Sequence, residues 1–123
     1  MVLKVLIVDD DYINRRLLIS LLNKELYEIE IIESADGKDA LERCHAHQDI
    51  QLILLDVEMP TVDGTHFLEH YRGSTTLPDI PIIAISSNDL RVKEILNLGA
   101  NAFIVKPVTK EKLILALHRS LTG

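Results

Sequence analysis

Asp9, Asp10, Asp56, Ser86 and Lys106 each stand where an apolar run gives way to polar residues. Carboxylates can hold a hard cation through oxygen or attack an electrophilic phosphorus. A fixed ammonium and a hydroxyl can meet the equatorial oxygens of a transferred phosphoryl group. Three carboxylates brought close repel one another unless a cation intervenes, and hard oxygen donors suit magnesium. A site for a dianionic phosphoryl group uses all five residues. In it, an Asp56 oxygen attacks phosphorus, magnesium rests on Asp9 or Asp10, and Lys106 and the Ser86 hydroxyl face the equatorial oxygens. Asp56 taken alone has a second reading, a turn cap whose side chain closes the start of a loop. What separates the two is whether the chain brings the five groups together.

The elements around them give the expected answer. Leu52-Ile-Leu-Leu55 is an unbroken apolar run, the pattern of a strand buried on both faces, and it ends at Asp56 before a Pro60 and Asp63-Gly64 turn. Leu3 to Val8 is a first strand ending at Asp9-Asp10-Asp11, and Ile29 to Ile32 a second, flanked by Glu28 and Glu33 as an edge strand would be. Pro81 to Ile85 is a fourth, closed by Ser86-Ser87, and Ala102 to Val105 a fifth, ending at Lys106-Pro107.

Helical spacing fills the intervals. Ile13, Leu17, Leu18, Leu21 and Leu22 predict one buried face, with Asn14, Arg15 and Arg16 outside. Asp36-Gly37 turns the chain into a stripe of Ala40, Leu41 and Cys44, and Phe67, Leu68 and Tyr71 mark a third helix before a loop over Gly73 to Pro78. Asn88-Asp89 offers N-cap chemistry for a helix over Leu90 to Leu98, and Gly99 suits a left-handed C-terminal cap. The last helix, after Thr109, carries Leu113, Leu117 and Leu121, widened by Ile114 and Ala116. Strand–helix alternation without a long linker predicts an α/β fold of one domain over residues 1–123, a three-layer, doubly wound parallel sheet. In such a sheet every strand's carboxyl end lies on one edge, where ligands bind, so the five groups converge in one crevice.

Composition narrows the partners. The chain has 123 residues, 47% hydrophobic and 26% charged, the profile of a folded globular domain. A formal net charge of -6 disfavours direct nucleic-acid contact, which needs clustered Lys and Arg. The lone Cys44 excludes an internal disulfide and reads as buried filler. The apolar start of the chain is too short for a signal peptide and no run approaches membrane-spanning length, so a cytoplasmic protein without a membrane segment is expected.

Over essentially its whole length the sequence resembles the receiver domain of two-component response regulators. The resemblance rests on Val8-Asp9-Asp10, Asp56 with Met59-Pro60 and Asp63-Gly64, Ser86 after the fourth strand, and Lys106-Pro107. It implies a flavodoxin-like (βα)5 fold with strand order 2-1-3-4-5, a cis Lys106-Pro107 bond, and Asp56 as phosphoacceptor from a phosphohistidine on a histidine kinase or histidine phosphotransfer protein. It implies magnesium on Asp9, Asp10, Asp56 and the Glu58 backbone carbonyl, with Asp10 touching the metal directly and Asp9 partly through water. Ser86 and Phe103 would form the switch, and Glu58 and Asn88 would tune the phosphoryl lifetime. Output would leave through the fourth helix, fifth strand and fifth helix, with Val92, Ile95, Phe103 and Lys110 as reporters. Its recipient would be a downstream protein, a covalently linked output domain or a second copy in a homodimer. Such a domain catalyses only its own phosphorylation and dephosphorylation, and is not an enzyme on an external substrate. The Asn14-Arg15 pair is similar to receivers attached to hybrid histidine kinases. Three positions colour the pattern: Ser86 stands where Thr or Ser is usual, Asp11 adds a third acid, and Phe103 stands where Tyr is frequent, so that without the hydroxyl it either reports the state by burial alone or is a core aromatic.

Two other readings compete. A magnesium-dependent aspartyl-phosphate phosphohydrolase would need an Asp-x-Asp pair on the first strand and a substrate cap, and the chain offers adjacent acids and no room for a cap. A phosphate-silent module of the same fold would usually lack the Asp or Lys, and both are present. His66 and His70, at i and i+4, could share a metal but suit a solvated face, and His45, His47 and His118 show no ligand spacing. No Gly-rich phosphate loop follows the first strand, and no G-x-S-x-G elbow surrounds Ser86 or Ser87.

Overall fold

A computed structural model describes residues 2–25, 28–59 and 63–122; Met1, Gly123 and the Pro60 turn lie outside the described residues. The elements are β1 (Leu3–Val8), α1 (Tyr12–Glu25), β2 (Ile29–Ser34), α2 (Gly37–Ala46), β3 (Leu52–Asp56), α3 (Gly64–Gly73), β4 (Ile82–Ser86), a 3-10 turn over Asp89–Arg91, α4 (Val92–Asn97), β5 (Ala102–Val105) and α5 (Lys110–Thr122). All strand pairs are parallel, in the expected order β2-β1-β3-β4-β5.

The two-residue period of the strands divides the core. Leu6, Val8, Ile53, Leu55 and Ala84 face α2, α3 and α4 through Ala40, Cys44, Phe67, Leu68, Tyr71 and Ile95. Val5, Ile7, Leu52, Leu54, Ile83 and Ile85 face α1 and α5 through Leu18, Leu22, Leu113, Ala116 and Leu117. The central strands β3 and β4 are buried at every residue, which is why their apolar runs do not alternate. Burial pushes the Cys44 thiol up to about 12, so it packs as a hydrophobe.

Helix starts follow their caps. Asp36 accepts from Asp39 N–H, Asp63 from Thr65 N–H and Asn88 from Leu90 N–H. Gly99 ends α4 at φ +114°, the left-handed cap expected of it.

Two helix faces and one helix start differ from the sequence expectation. In α1 the buried pair is Leu18 and Leu22, while Ile13 and Leu17 are 73% and 51% exposed. Leu18 and Leu22 pack into the core, and Arg15, on their side of the helix at i−3 and i−7, donates to Glu33 Oε1 at 3.0 Å and to the Asp9 carbonyl at 2.6 Å. In α5, Leu113, Ala116 and Leu117 are buried while Ile114 and Leu121 are exposed, since only one side of the helix meets the sheet. The segment expected as one helix over Leu90 to Leu98 begins as the 3-10 turn and becomes α-helical at Val92.

Candidate functional site

Strand register assembles the site. Val8 pairs with Leu55, so Asp9 emerges beside Asp56; Ile85 pairs with Asp56, so Ser86 lies one step beyond; Ser86 pairs with Val105, which delivers Lys106 to the same edge. Asp9 N–H donates to the Ser34 carbonyl, Val57 N–H to the Ile85 carbonyl and Lys106 N–H to the Ser86 carbonyl, so the ladder continues into the loops that carry these groups. The Lys106-Pro107 bond is cis. Behind Asp56, Gly64 is obligatory on steric grounds: a Cβ there would sit 2.8 Å from the Asp56 carbonyl oxygen and 2.8 Å from Val57 Cα.

One ligand atom from each of Asp9, Asp10 and Asp56 lies within 4.8 Å of the others, the one such grouping among the described residues. Asp56 is 3% exposed, and Lys106 Nζ stands 3.2 Å from its Oδ1. That contact is an ion pair without hydrogen-bond alignment, so Asp56 Oδ1 is buried with no hydrogen-bond partner. Burial, and then the charge of Asp9, push the Asp56 carboxyl up to about 7 against the pull of Lys106. Burial raises Asp9 as well, opposed by the Asp11 N–H that donates to its Oδ1 at 2.9 Å. Burial works against charge on Lys106, but Asp56, Asp9 and Glu58 outweigh it and raise its pKa. An orphaned buried carboxylate oxygen beside two more acids is the donor set of a hard divalent cation, so these residues fit magnesium.

The Ser86 side chain is fully buried and committed elsewhere. Its hydroxyl donates to Glu58 Oε2 at 2.5 Å and accepts from Asn88 N–H at 3.0 Å. Glu58 Oε1 accepts from Ser87 N–H at 2.8 Å, and Oε2 also faces Arg91 Nη1 at 3.3 Å. Burial opposes ionisation of Glu58, but these donors outweigh it and hold its carboxyl below the usual range. Asn88 uses its side-chain oxygen to cap the turn at Leu90.

The five groups read from strand ends therefore do meet at one edge. The remaining expected residues divide. Phe103 is half-buried against the α4 side of the core, Val92 is half-buried, Lys110 is exposed, and Ile95 is wholly buried and presents no surface. Ile95 lines the core because it falls on the inward side of a helix only six residues long. His66 and His70 are exposed on α3. Two arginines were not legible as site residues. Arg15, placed outside by its neighbours' polarity, instead braces the Asp9 carbonyl. Arg91 falls in a 3-10 turn, where no helical period marks a face.

The response regulator receiver domain model matches residues 5–118. Chemotaxis protein CheY1 of Helicobacter pylori is 33% identical over 121 residues, covering 94% of this chain and 97% of that protein. Two-component response regulator ORR3 of Oryza sativa subsp. indica is 33% identical over 106 residues, covering 85% of this chain and 79% of that protein. Among solved structures, chemotaxis regulator CheY4 of Vibrio cholerae superposes with a TM-score of 0.81 at 30% identity, covering 98% of this chain and 99% of that one. A chain of the CheX-CheY-BeF3-Mg2+ complex from Borrelia burgdorferi does so at 0.85 and 30% identity, covering 98% and 90%.

Proposed function

Because the chain belongs to the response regulator receiver domain family, we propose that it is a phosphoacceptor signalling domain, a single receiver over residues 1–123, with Asp56 taking the phosphoryl group. The observation that carries this is the buried Asp56 carboxylate with Lys106 at 3.2 Å and two further acids within ligand reach. A carboxylate oxygen of Asp56 attacks the phosphorus of a phosphohistidine on a kinase or phosphotransfer protein. The P–N bond breaks as the P–O bond forms, and the imidazole leaves with its electron pair. Lys106 and the Ser86 hydroxyl neutralise and orient the equatorial oxygens. Asp9, Asp10, Asp56 and the Glu58 backbone carbonyl would hold magnesium, which supplies countercharge to the phosphoryl oxygens. Glu58 and Asn88, flanking the mouth, tune the rate at which water removes the group.

The donor's approach is supported by the unexpected face of α1. Tyr12, Ile13 and Leu17 are exposed there. A cavity of about 420 Å³ lined by Asp9, Asn14, Leu17, Lys106 and Pro107, among others, opens beside them. An apolar rim at the phosphoacceptor suits the helix that carries a phosphohistidine. Output passes to a downstream protein, a linked domain or a second copy through α4, β5 and α5. None of the described helices is long and apolar enough to cross a membrane.

Incubation with magnesium and acetyl phosphate tests the reading. One labile phosphoryl group per chain, absent from Asp56→Asn, is expected; continuous phosphate release would indicate a hydrolase, and neither outcome a phosphate-silent module.

A further inference from the structure

Arg91 has no part in the roles above, yet its guanidinium joins two loops of the site. Nη1 lies 3.3 Å from Glu58 Oε2 and 3.2 Å from Asp63 Oδ2, and Nε lies 3.1 Å from Glu94 Oε1. Asp63 is fixed because its other oxygen caps α3 at Thr65 N–H. Glu94, in the first turn of α4, adds a local i,i+3 contact from a half-exposed side chain. Arg91 is therefore anchored chiefly by Asp63, and its own side chain is only 21% exposed. The carboxylate oxygen it holds is the one that accepts the Ser86 hydroxyl at 2.5 Å. A hydroxyl has one proton to donate, so the bond to Glu58 and a bond to a phosphoryl oxygen on Asp56 exclude each other.

We propose that Arg91 is a positioning residue that parks the Glu58 carboxylate on the Ser86 hydroxyl, so that the unphosphorylated domain keeps this donor away from Asp56 until a phosphoryl group displaces Glu58. The inference rests on the phosphoacceptor reading and deepens it. An anion arriving at Asp56 competes with a charge-assisted hydrogen bond that Arg91 strengthens by fixing its acceptor. Arg91 would thus bias the switch from outside the phosphoryl-binding set, through geometry and not through contact with the substrate.

A double-mutant cycle on the whole chain tests this. Beryllofluoride, with magnesium saturating, is titrated into wild type, R91A, S86A and the double variant, with binding followed by fluorine NMR. Removing Arg91 also removes a positive charge, which weakens anion binding in both backgrounds, and the cycle cancels that effect. The expected result is that R91A changes affinity at least threefold more favourably with Ser86 present than in the S86A background, with R91K intermediate. Equal effects in the two backgrounds would overturn the proposal and leave Arg91 a local charge. The amides of Ser87 and Asn88, which donate to Glu58 and to Ser86 Oγ, give a second reading in the unphosphorylated protein. Both should shift in R91A; unmoved amides would also overturn it. Should wild type fail to bind beryllofluoride, the phosphoacceptor reading falls, and the amide shifts still decide whether Arg91 holds Glu58.

Discussion

Lys106 Nζ stands 3.2 Å from Asp56 Oδ1, and that buried oxygen still accepts no hydrogen bond. The ammonium is close enough to offset part of the charge of Asp56 and is not aligned to satisfy it. A carboxylate in this condition is costly to ionise and is ready for any group that brings further countercharge.

Asp56→Asn should abolish acyl-phosphate formation and stabilise the metal-free fold at alkaline pH. In the folded protein Asp56 keeps its proton up to about pH 7, against 3.8 for an ordinary Asp. Between those values the folded form binds more protons than the unfolded chain, so the contribution of Asp56 to stability falls as pH rises through this window. Urea titrations should find the variant more stable near pH 8 by on the order of 1–3 kcal/mol and equal to wild type near pH 4. Added magnesium should narrow the gap. Equal stability near pH 8 would count against the crowded-charge account.

Asp10→Asn and Asp9→Asn should each weaken magnesium binding roughly tenfold, since each removes one negative ligand from a group of three. Asp10 should matter more of the two, because Asp9 Oδ1 already accepts the Asp11 N–H at 2.9 Å while Asp10 is exposed at the mouth of the site. The double variant should neither bind the ion in calorimetry nor be phosphorylated. Normal phosphorylation of that variant would reduce both acids to caps.

Ser86→Ala should leave acetyl phosphate able to modify Asp56 while removing the phosphate-dependent change in partner or self affinity. The hydroxyl is the group that can move from Glu58 to the phosphoryl oxygens, vacating space toward Phe103 in β5. Affinity measured with and without beryllofluoride checks this, and an unchanged difference in the variant would place the coupling elsewhere.

Ile13→Ala should lower the rate of phosphotransfer from a histidine phosphotransfer protein severalfold and leave the acetyl phosphate rate unaltered. Ile13 is 73% exposed and contributes nothing to the core, so its loss acts on docking alone. Equal rates from the protein donor would remove the α1 rim from the docking surface.

Gly64→Ala should destabilise the fold by about 1–3 kcal/mol, because the added methyl meets backbone at 2.8 Å on two sides and the loop carrying Asp56 must shift. Thermal unfolding gives the cost. An unchanged melting temperature would mean that the α3 start has freedom the backbone contact denies it.

The layered fold and the five convergent groups were legible in the chain alone. Apolar runs ending at Asp9, Asp56, Ser86 and Lys106 are local signals, and parallel pairing puts all strand ends on one edge, so position along the chain translates directly into position in the crevice. The rotation of α1 was not legible, because Leu17 and Leu18 are adjacent and equally apolar. Tertiary packing decides it: Leu18 and Leu22 pack into the α1–α5 side of the core, and Arg15 reaches Glu33 and the Asp9 carbonyl from the same side of the helix. Nor could periodicity reveal the bond between Ser86 and Glu58, or the Arg91 that holds Glu58: these partners are 28 and 33 residues apart. They meet because two loops from neighbouring strands close over the same end of the sheet, and side chains from separate loops obey no spacing rule. The hydroxyl's place was legible from the sequence, and which acceptor it serves was decided by tertiary structure.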